Sequence, residues 1–516
     1  MRRGLSLSII LLVGLVSACT DQPTPNASGR PDNTAMVIAE AAEPNALNPL
    51  AGYAPDGAAK IFDGLLEHQA DSSLAPVLAA SLPTVSPDGR SWTITLRAGV
   101  TFSDGTPFDA RAVVATYRAL LDPTVGSPLR PRFSMLTGVA EIDPETVRFD
   151  LGYPYPAFPQ LLTLGILPAA LATPTPVAAM AVDTKPVGTG PYLLRSWTKG
   201  HVLVLAANPR YPIALGGPPK VKTVTVEFIA DDAQRVKMLQ DGKLDGAPVA
   251  PTQAAQNAKS DTFSVLTDPA ADLRAVQLPA SGPVTGDPTI RLALNDAVNR
   301  AAMVSGPLAG DGAAADTPMP GVLPEFTQTT ATFAHDPAHA ADLLTSAGWQ
   351  PGPDGIRSRN GVSALFTVDY PVGETLDAGL ANAFAADAKA VGISVRTAAI
   401  TGPPPVADAT LISIGNPFDP DLAAYPLLGS ALAGADQGVV TALENGRRQT
   451  DPAQRAVAYR QFQRAYLLNP TMVSLVLADH TYLMRNNWNG YQQVTDDSFQ
   501  DVTWGPWWNL ETWTPR

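Results

Sequence analysis

The sequence predicts a mixed α/β chain of two or three domains, and three observations carry that prediction. Stretches of two-residue alternation and stretches of helical periodicity follow one another too densely for an all-α or all-β fold. The 516 residues exceed a single domain of roughly 150. Hydrophobic residues make up 45% of the chain, ordinary globular content.

The elements follow in order. In "RSWTITLRAGV", Trp92, Ile94 and Leu96 alternate with Thr93, Thr95 and Arg97, the pattern of a half-buried strand. Ser103-Asp104-Gly105 is a turn. Asp109 then caps a helix over "ARAVVATYRALL", with Val113, Tyr117 and Leu120 on one face. "TVRFDL" (146 to 151) and "KTVTVEF" (222 to 228) alternate as strands, and "DDAQRVKMLQDG" is a helix closed by Gly242. "RLALNDAVNRAAMV" (291 to 304) reads as one helix. "DPAHAADLLTSAG" (336 to 348) is another, with Asp336 as cap, Pro337 in the first turn and Gly348 as stop. "GLANAFAADAKAVG" leads into the strand "ISVRTAAI", and "DPAQRAVAYRQFQRAYLL" (451 to 468) is a long late helix begun by Asp451 and Pro452.

The N-terminus addresses the compartment. Arg2 and Arg3 precede a short apolar run from Leu5 to Val16, below the ~20 residues a membrane span needs. A basic start, a short apolar middle and a small-residue exit form a secretory signal, here residues 1–18. The exit Val16-Ser17-Ala18-Cys19 resembles a bacterial lipobox, which makes Cys19, the single cysteine, the lipidation site and new N-terminus. The plainer alternative is an ordinary signal with a stray cysteine. Residues 19–34 are polar, hold three prolines and lack an apolar cluster, so they read as a tether. Asn26-Ala-Ser28 matches a glycosylation acceptor and carries little weight in a bacterial tether. With one cysteine there is no disulfide, and burial alone must hold the core.

Charge and motifs exclude several function classes. The formal charge of -13 becomes about -15 once Arg2 and Arg3 are removed, which disfavours nucleic acid and anionic membrane surfaces as partners. There is no phosphate-binding loop, no G-x-S-x-G elbow and no H-E-x-x-H. His335 and His339 are spaced as one helix face, but they span a cap and first turn, where exposed polar residues are normal. His68, His201 and His480 are isolated and read as surface or satisfied core. The acidic pairs Asp231-Asp232 and Asp496-Asp497 read as solvated faces. The C-terminal Trp504, Trp507, Trp508 and Trp513 read as packing rather than a stacking site. No cofactor and no metal is expected.

From about residue 40 to its end the chain resembles the solute-binding proteins of bacterial ABC importers, family 5, which includes the oligopeptide- and dipeptide-binding proteins. The resemblance rests on "EPNALNPL", "IFDGLLE", "LAPVLAASLPTVSPDGRSWTITLRAGVTFSDGTPFDARAVVATYRALLDP", "KPVGTGPYLL" with "LAANPRY", "TIRLALNDAVNRAAMV", "HDPAHAADLLTSAGW", "NPFDPD" and the late helix, in family order. It implies an α/β, two-lobed periplasmic-binding-protein fold with an extra domain inserted in the first lobe. Projected here, the first lobe takes 35–51, 184–270 and 480–516, the inserted domain 52–183 and the second lobe 271–479. The chain would cross between lobes near "LRAVQLP" (273 to 279) and "HTYLMR" (480 to 485). The glycines of "PVGTGPY" serve a tight backbone course rather than a ligand.

The resemblance also shows departures. In peptide-binding relatives an aspartate before the Asp-Pro pair holds the peptide ammonium; the aligned residue here is Asn416, with Asp419 three residues on. In dipeptide binders an arginine grips the peptide carboxylate; here Pro371 aligns with it. Truncating one partner of a buried charge pair costs ~2–5 kcal/mol, so a tight free-dipeptide receptor is disfavoured. The expected function is a monomeric, extracytoplasmic receptor, anchored to the membrane by lipidated Cys19. It would bind an oligopeptide in the interlobe cleft and deliver it to the permease and ATPase subunits of an ABC importer. Asn416, Asp419 and Tyr53 are the expected ligand contacts, Tyr53 equally a packing residue. The alternatives are a non-peptide solute (metal chelate, haem, sugar or siderophore) or a surface hydrolase or structural lipoprotein.

Only a thiol can accept the lipid, so Cys19→Ala is expected to leave the protein unacylated when cells grow in labelled palmitate. Label retained by the variant contradicts the anchor.

Overall fold

Two long antiparallel strands, Phe263–Gln277 and Met472–Arg485, form the spine of the molecule. The computed structural model describes residues 33–402, 405, 408–429, 436–497 and 503–516, so Cys19 and the leader lie outside the described residues. Thr34–Arg516 forms one compact unit.

The spine is the centre of an 11-stranded sheet. On one side, Gly246–Pro248 pairs with the Met484 end of the spine, followed by Ala35–Glu40, Thr223–Phe228, Val202–Ala207 and Tyr192–Thr198. On the other, Ala409–Ile414 pairs with Leu273–Gln277, followed by Leu365–Pro371 and Ser394–Ile400. The two halves hang on opposite ends of the same strand pair. Between them the register slips, from Asp268 opposite His480 to Asp272 opposite Ala478. A slip of this kind bends and twists a strand pair locally. Each half has its own core: one cluster centres on Leu294, Phe384 and Trp349, another on Phe462 and Tyr459, while Met36, Val224 and Trp507 belong to a third.

Residues 52–183 add a separate four-stranded sheet, in which Ser91–Thr95 lies between Thr84–Val85 and Thr146–Leu151, with Leu136–Asp143 at the edge. The helix Ala110–Leu121 buries Val113, Tyr117 and Leu120, and the Asp109 side chain accepts the Arg111 N–H at its start. This is the face and cap the periodicity predicts. The glycines of "PVGTGPY" serve close packing. A Cβ at Gly188 would stand 2.0 Å from the Ile61 carbonyl oxygen, and one at Gly190 would stand 2.6 Å from the Ile61 carbonyl carbon.

One helix departs from the sequence reading. Residues 291 to 304 form two helices, Pro288–Ala297 and Arg300–Ser305, rather than one. Tertiary hydrogen bonds break it. The Asn299 N–H donates to Asp387 at 2.8 Å, its side chain caps Ala302, and buried Arg300 donates to the carbonyls of Ala315 and Ser474. The late helix Pro452–Tyr466 begins at Asp451 as expected. Among the described residues no helix is long and apolar enough to cross a membrane.

At the register slip sits His480, fully buried. Its Nδ1 lies 2.7 Å from Asp496 and its Nε2 3.1 Å from Asp272. Burial would lower its pKa, but the charges of Asp496 and Asp272 and their hydrogen bonds override that and push it up to about 10. The imidazolium therefore donates at both nitrogens at neutral pH. A histidine bound more tightly to its proton in the native state than in the unfolded chain (~6.5) stabilises fully below ~6.5 and loses that contribution as pH rises toward its native value. Denaturant midpoints are expected to fall from about pH 7 to about pH 10, and to fall less in His480→Gln. An identical profile in the variant contradicts this role.

Candidate functional site

The site is built from loops that the fold brings to the seam between the sheet halves. Asn48 starts a short turn over Pro49–Ala51, its side chain accepting the Leu50 N–H at 3.0 Å, and Asp183 holds the N–H groups of Leu47 and Asn48. Gly52, at φ 98°, completes the turn in the left-handed region. This delivers Tyr53 and Asp56 to the edge of a cleft of about 920 Å3. Arg132, on the turn Arg130–Phe133, reaches the same edge. From the other sheet half come Arg274, Leu411 and Ser413 on strands, then Pro371, Glu374 and Asp377 where the strand Leu365–Pro371 gives way to the helix Thr375–Ala390. Trp504 completes the wall.

The charges in this cleft are mostly matched. Arg132 pairs with both carboxylate oxygens of Asp56. Arg274 lies 2.6 Å from Asp272 and 2.6 Å from Asp377. Asp272 accepts in turn from the Ser413 hydroxyl at 2.6 Å and from His480. A chain of buried charges therefore runs from Asp496 through His480, Asp272 and Arg274 to Asp377 in the cleft wall. Glu43 accepts from the Trp197 indole at 2.7 Å and the Gly200 N–H at 2.8 Å. Burial, with repulsion from Asp232 and Asp377 working against the pull of Arg235, pushes Glu374 up to about 7.

Contacts also join segments far apart in the sequence. Asp232 accepts the Thr375 N–H at 3.0 Å while its other oxygen pairs with Arg235. Tyr155 donates to Asp421 at 2.7 Å, and Arg447 donates to the Tyr153 hydroxyl at 3.0 Å with its guanidinium 3.8 Å from the Tyr425 ring centre. His68 stacks on Phe418 at 3.4 Å, and Trp504 meets Phe418 edge-on at 5.3 Å. Burial lowers the His68 pKa, and its Nδ1, 2.8 Å from the Asp56 carbonyl, carries the proton.

The three expected contacts fall in different places. Tyr53 lines the cleft and is buried. Asn416 stands one layer behind it. Its amide donates to Asp56 at 3.3 Å, and its oxygen accepts the N–H groups of Phe418 and Asp419. Asp419 is the cap of the helix Pro420–Leu428, accepting from Asp421 at 2.8 Å, and both its oxygens bind Arg455, at 2.6 and 2.9 Å. It is absent from the cleft lining. Asp-Pro in sequence is as much a cap signal as a ligand signal, and the Arg455 partner lies on another helix. Sequence reasoning missed Asp56, Arg132, Arg274, Glu374 and Trp504. Trp504 was legible only as part of an aromatic cluster, of which Trp507 and Trp513 are indeed core. His339 lies 2.9 Å from Asp296, and among the described residues no cluster of three or more His, Cys, Asp or Glu can hold a metal.

Comparison with known proteins places these features. Residues 73–424 match the family model for bacterial extracellular solute-binding proteins, family 5, middle region. Protein XP55 of Streptomyces lividans is 42% identical over 468 residues, covering 88% of this chain and 85% of its own. The glutathione-binding protein GsiB of Escherichia coli O1:K1 is 33% identical over 306 residues, 57% of each chain. NikZ from Campylobacter jejuni, solved in complex with Ni(L-His), superposes with a TM-score of 0.85 at 26% identity, covering 94% of this chain and 100% of NikZ.

The geometry of Asp419 makes a prediction. Asp419→Ala leaves Arg455 buried without its partner, which costs ~3–5 kcal/mol. Urea denaturation is expected to show that loss. A stability change within ~0.5 kcal/mol accompanied by a large loss of solute affinity would instead make Asp419 a ligand contact.

Proposed function

Because the chain belongs to family 5 of the bacterial extracellular solute-binding proteins, we propose that its cleft takes an oligopeptide. The family's role is settled at a coarser level. Its members are extracytoplasmic receptors of ABC importers that bind a solute and present it to a permease and ATPase, and they are binding proteins rather than enzymes.

The observation that carries the peptide reading is the cleft. At about 920 Å3 it lies at the upper end of the ~300–1,000 Å3 of small-molecule sites. Its walls alternate apolar surfaces, Tyr53, Leu411 and Trp504, with charged groups. A peptide backbone in extended form is recognised by main-chain groups and tolerates varied side chains. GsiB, a glutathione-binding protein by name, supports a small peptide-like solute. Of the expected contacts, Tyr53 acts directly. Asn416 acts through Asp56, and Asp419 by fixing the loop that holds Asn416.

The division into a first lobe (35–51, 184–270, 480–516), an inserted domain (52–183) and a second lobe (271–479) belongs to the same proposal. So do a monomeric state and a Cys19 lipid anchor. In this reading the lobes hinge at the spine, and solute contacts with both halves bias the closed state.

Small-angle scattering and thermal unfolding with a defined peptide library test the reading. Bound peptide is expected to lower the radius of gyration and to stabilise by RT ln(1 + [L]/Kd), ~2.7 kcal/mol at a hundredfold excess over Kd. Tight binding without compaction contradicts the hinge. Stabilisation by nickel–histidine but by no peptide contradicts the peptide.

A further inference from the structure

The charge of the solute follows from the cleft wall, given the receptor reading above. Two arginines line the cleft, and both are already committed: Arg132 to Asp56, and Arg274 to Asp272 and Asp377. Both positive charges are thereby balanced by acids of the protein before a solute enters.

Glu374 stands apart. It lines the cleft on one side and a small cavity beside Asp232, Arg235 and Arg274 on the other. Among the described residues its carboxyl makes no hydrogen bond or ion pair, and it does not cap the helix it precedes. The charged groups acting on it are Arg235 and Arg274 against Asp232 and Asp377. With every acid ionised, these cancel, and Glu374 itself adds one unmatched negative charge. The helix N-terminus beside it, which would otherwise favour an anion, is already occupied, because Asp232 accepts the Thr375 N–H.

We propose that Glu374 binds a cationic group of the solute, a protonated amine or a guanidinium, so that the receptor prefers basic, carboxylate-free solutes at this end of the cleft. The bound cation faces Glu374 and Asp377, supplies the missing positive charge and displaces water from the only unmatched carboxylate of this wall among those described above.

Calorimetry on the purified protein, freed of bound solute, tests this with N-acetyl-alanyl-lysyl-alanine amide, N-acetyl-trialanine amide and cadaverine. The lysyl peptide is expected to bind at least tenfold more tightly than the trialanine peptide. Glu374→Gln is expected to erase that difference, and Glu374→Lys to reverse it. Equal affinity for the two peptides in the unaltered protein overturns the charge assignment and leaves the peptide reading standing. A lysyl preference that survives Glu374→Gln overturns the role of Glu374. Cadaverine binding that weakens tenfold in Glu374→Gln, with neither peptide bound, supports the charge assignment and removes the peptide. Binding of none of the three overturns both.

Discussion

The structure depends on one buried histidine. His480 sits where the two spine strands slip register, held between Asp496 and Asp272. Ala271, within the slip, also donates its N–H to the Asp496 carbonyl at 2.9 Å, and Asp496 donates its own to Pro269 at 2.7 Å. A loop from the far C-terminal part is thereby tied to the bend. Burying two carboxylates is costly unless a cation is placed between them. The imidazolium meets that need, Tyr482 donates to the same Asp496 oxygen at 2.9 Å, and Tyr491 donates to Asp268 at 2.7 Å. Gly415 fits the same crowding: a Cβ there would stand 1.6 Å from the Ala271 carbonyl oxygen.

From this point the site follows. Asp272 is shared between His480 and Arg274, and Arg274 reaches Asp377 at the start of the helix Thr375–Ala390. The cleft is therefore lined by groups whose charges are linked through Asp272 to the buried His480. Polar contacts at Asp232–Thr375, at Tyr155–Asp421 and at Arg447–Tyr153 join further segments distant in sequence.

Much of the architecture was legible in the sequence because it is local. Asp109, Asp336 and Asp451 cap the helices they precede, and the Thr146–Leu151 strand runs as its alternation says. What failed was set by distant partners. Val298 and Asn299 continue a helical pattern, yet Asp387 and the carbonyls of Ala315 and Ser474 impose a break. The site was legible only through resemblance, and that directed attention to Asn416 and Asp419. Their side chains are committed to neighbours 36 and 360 residues away, Arg455 and Asp56. Asp496 read as part of a solvated acidic pair, and it is fully buried. No periodicity marks Glu374, whose carboxyl has no hydrogen-bond or ion-pair partner among the described residues.

The central claim is that the cleft between the sheet halves holds a cation-bearing, peptide-like solute. Mass spectrometry of the small molecules released on denaturing protein purified from its native source tests it most directly. The account predicts a stoichiometric solute containing amide bonds and an amine or guanidinium group. Release of an anionic metal chelate or a neutral sugar in that stoichiometry would contradict it.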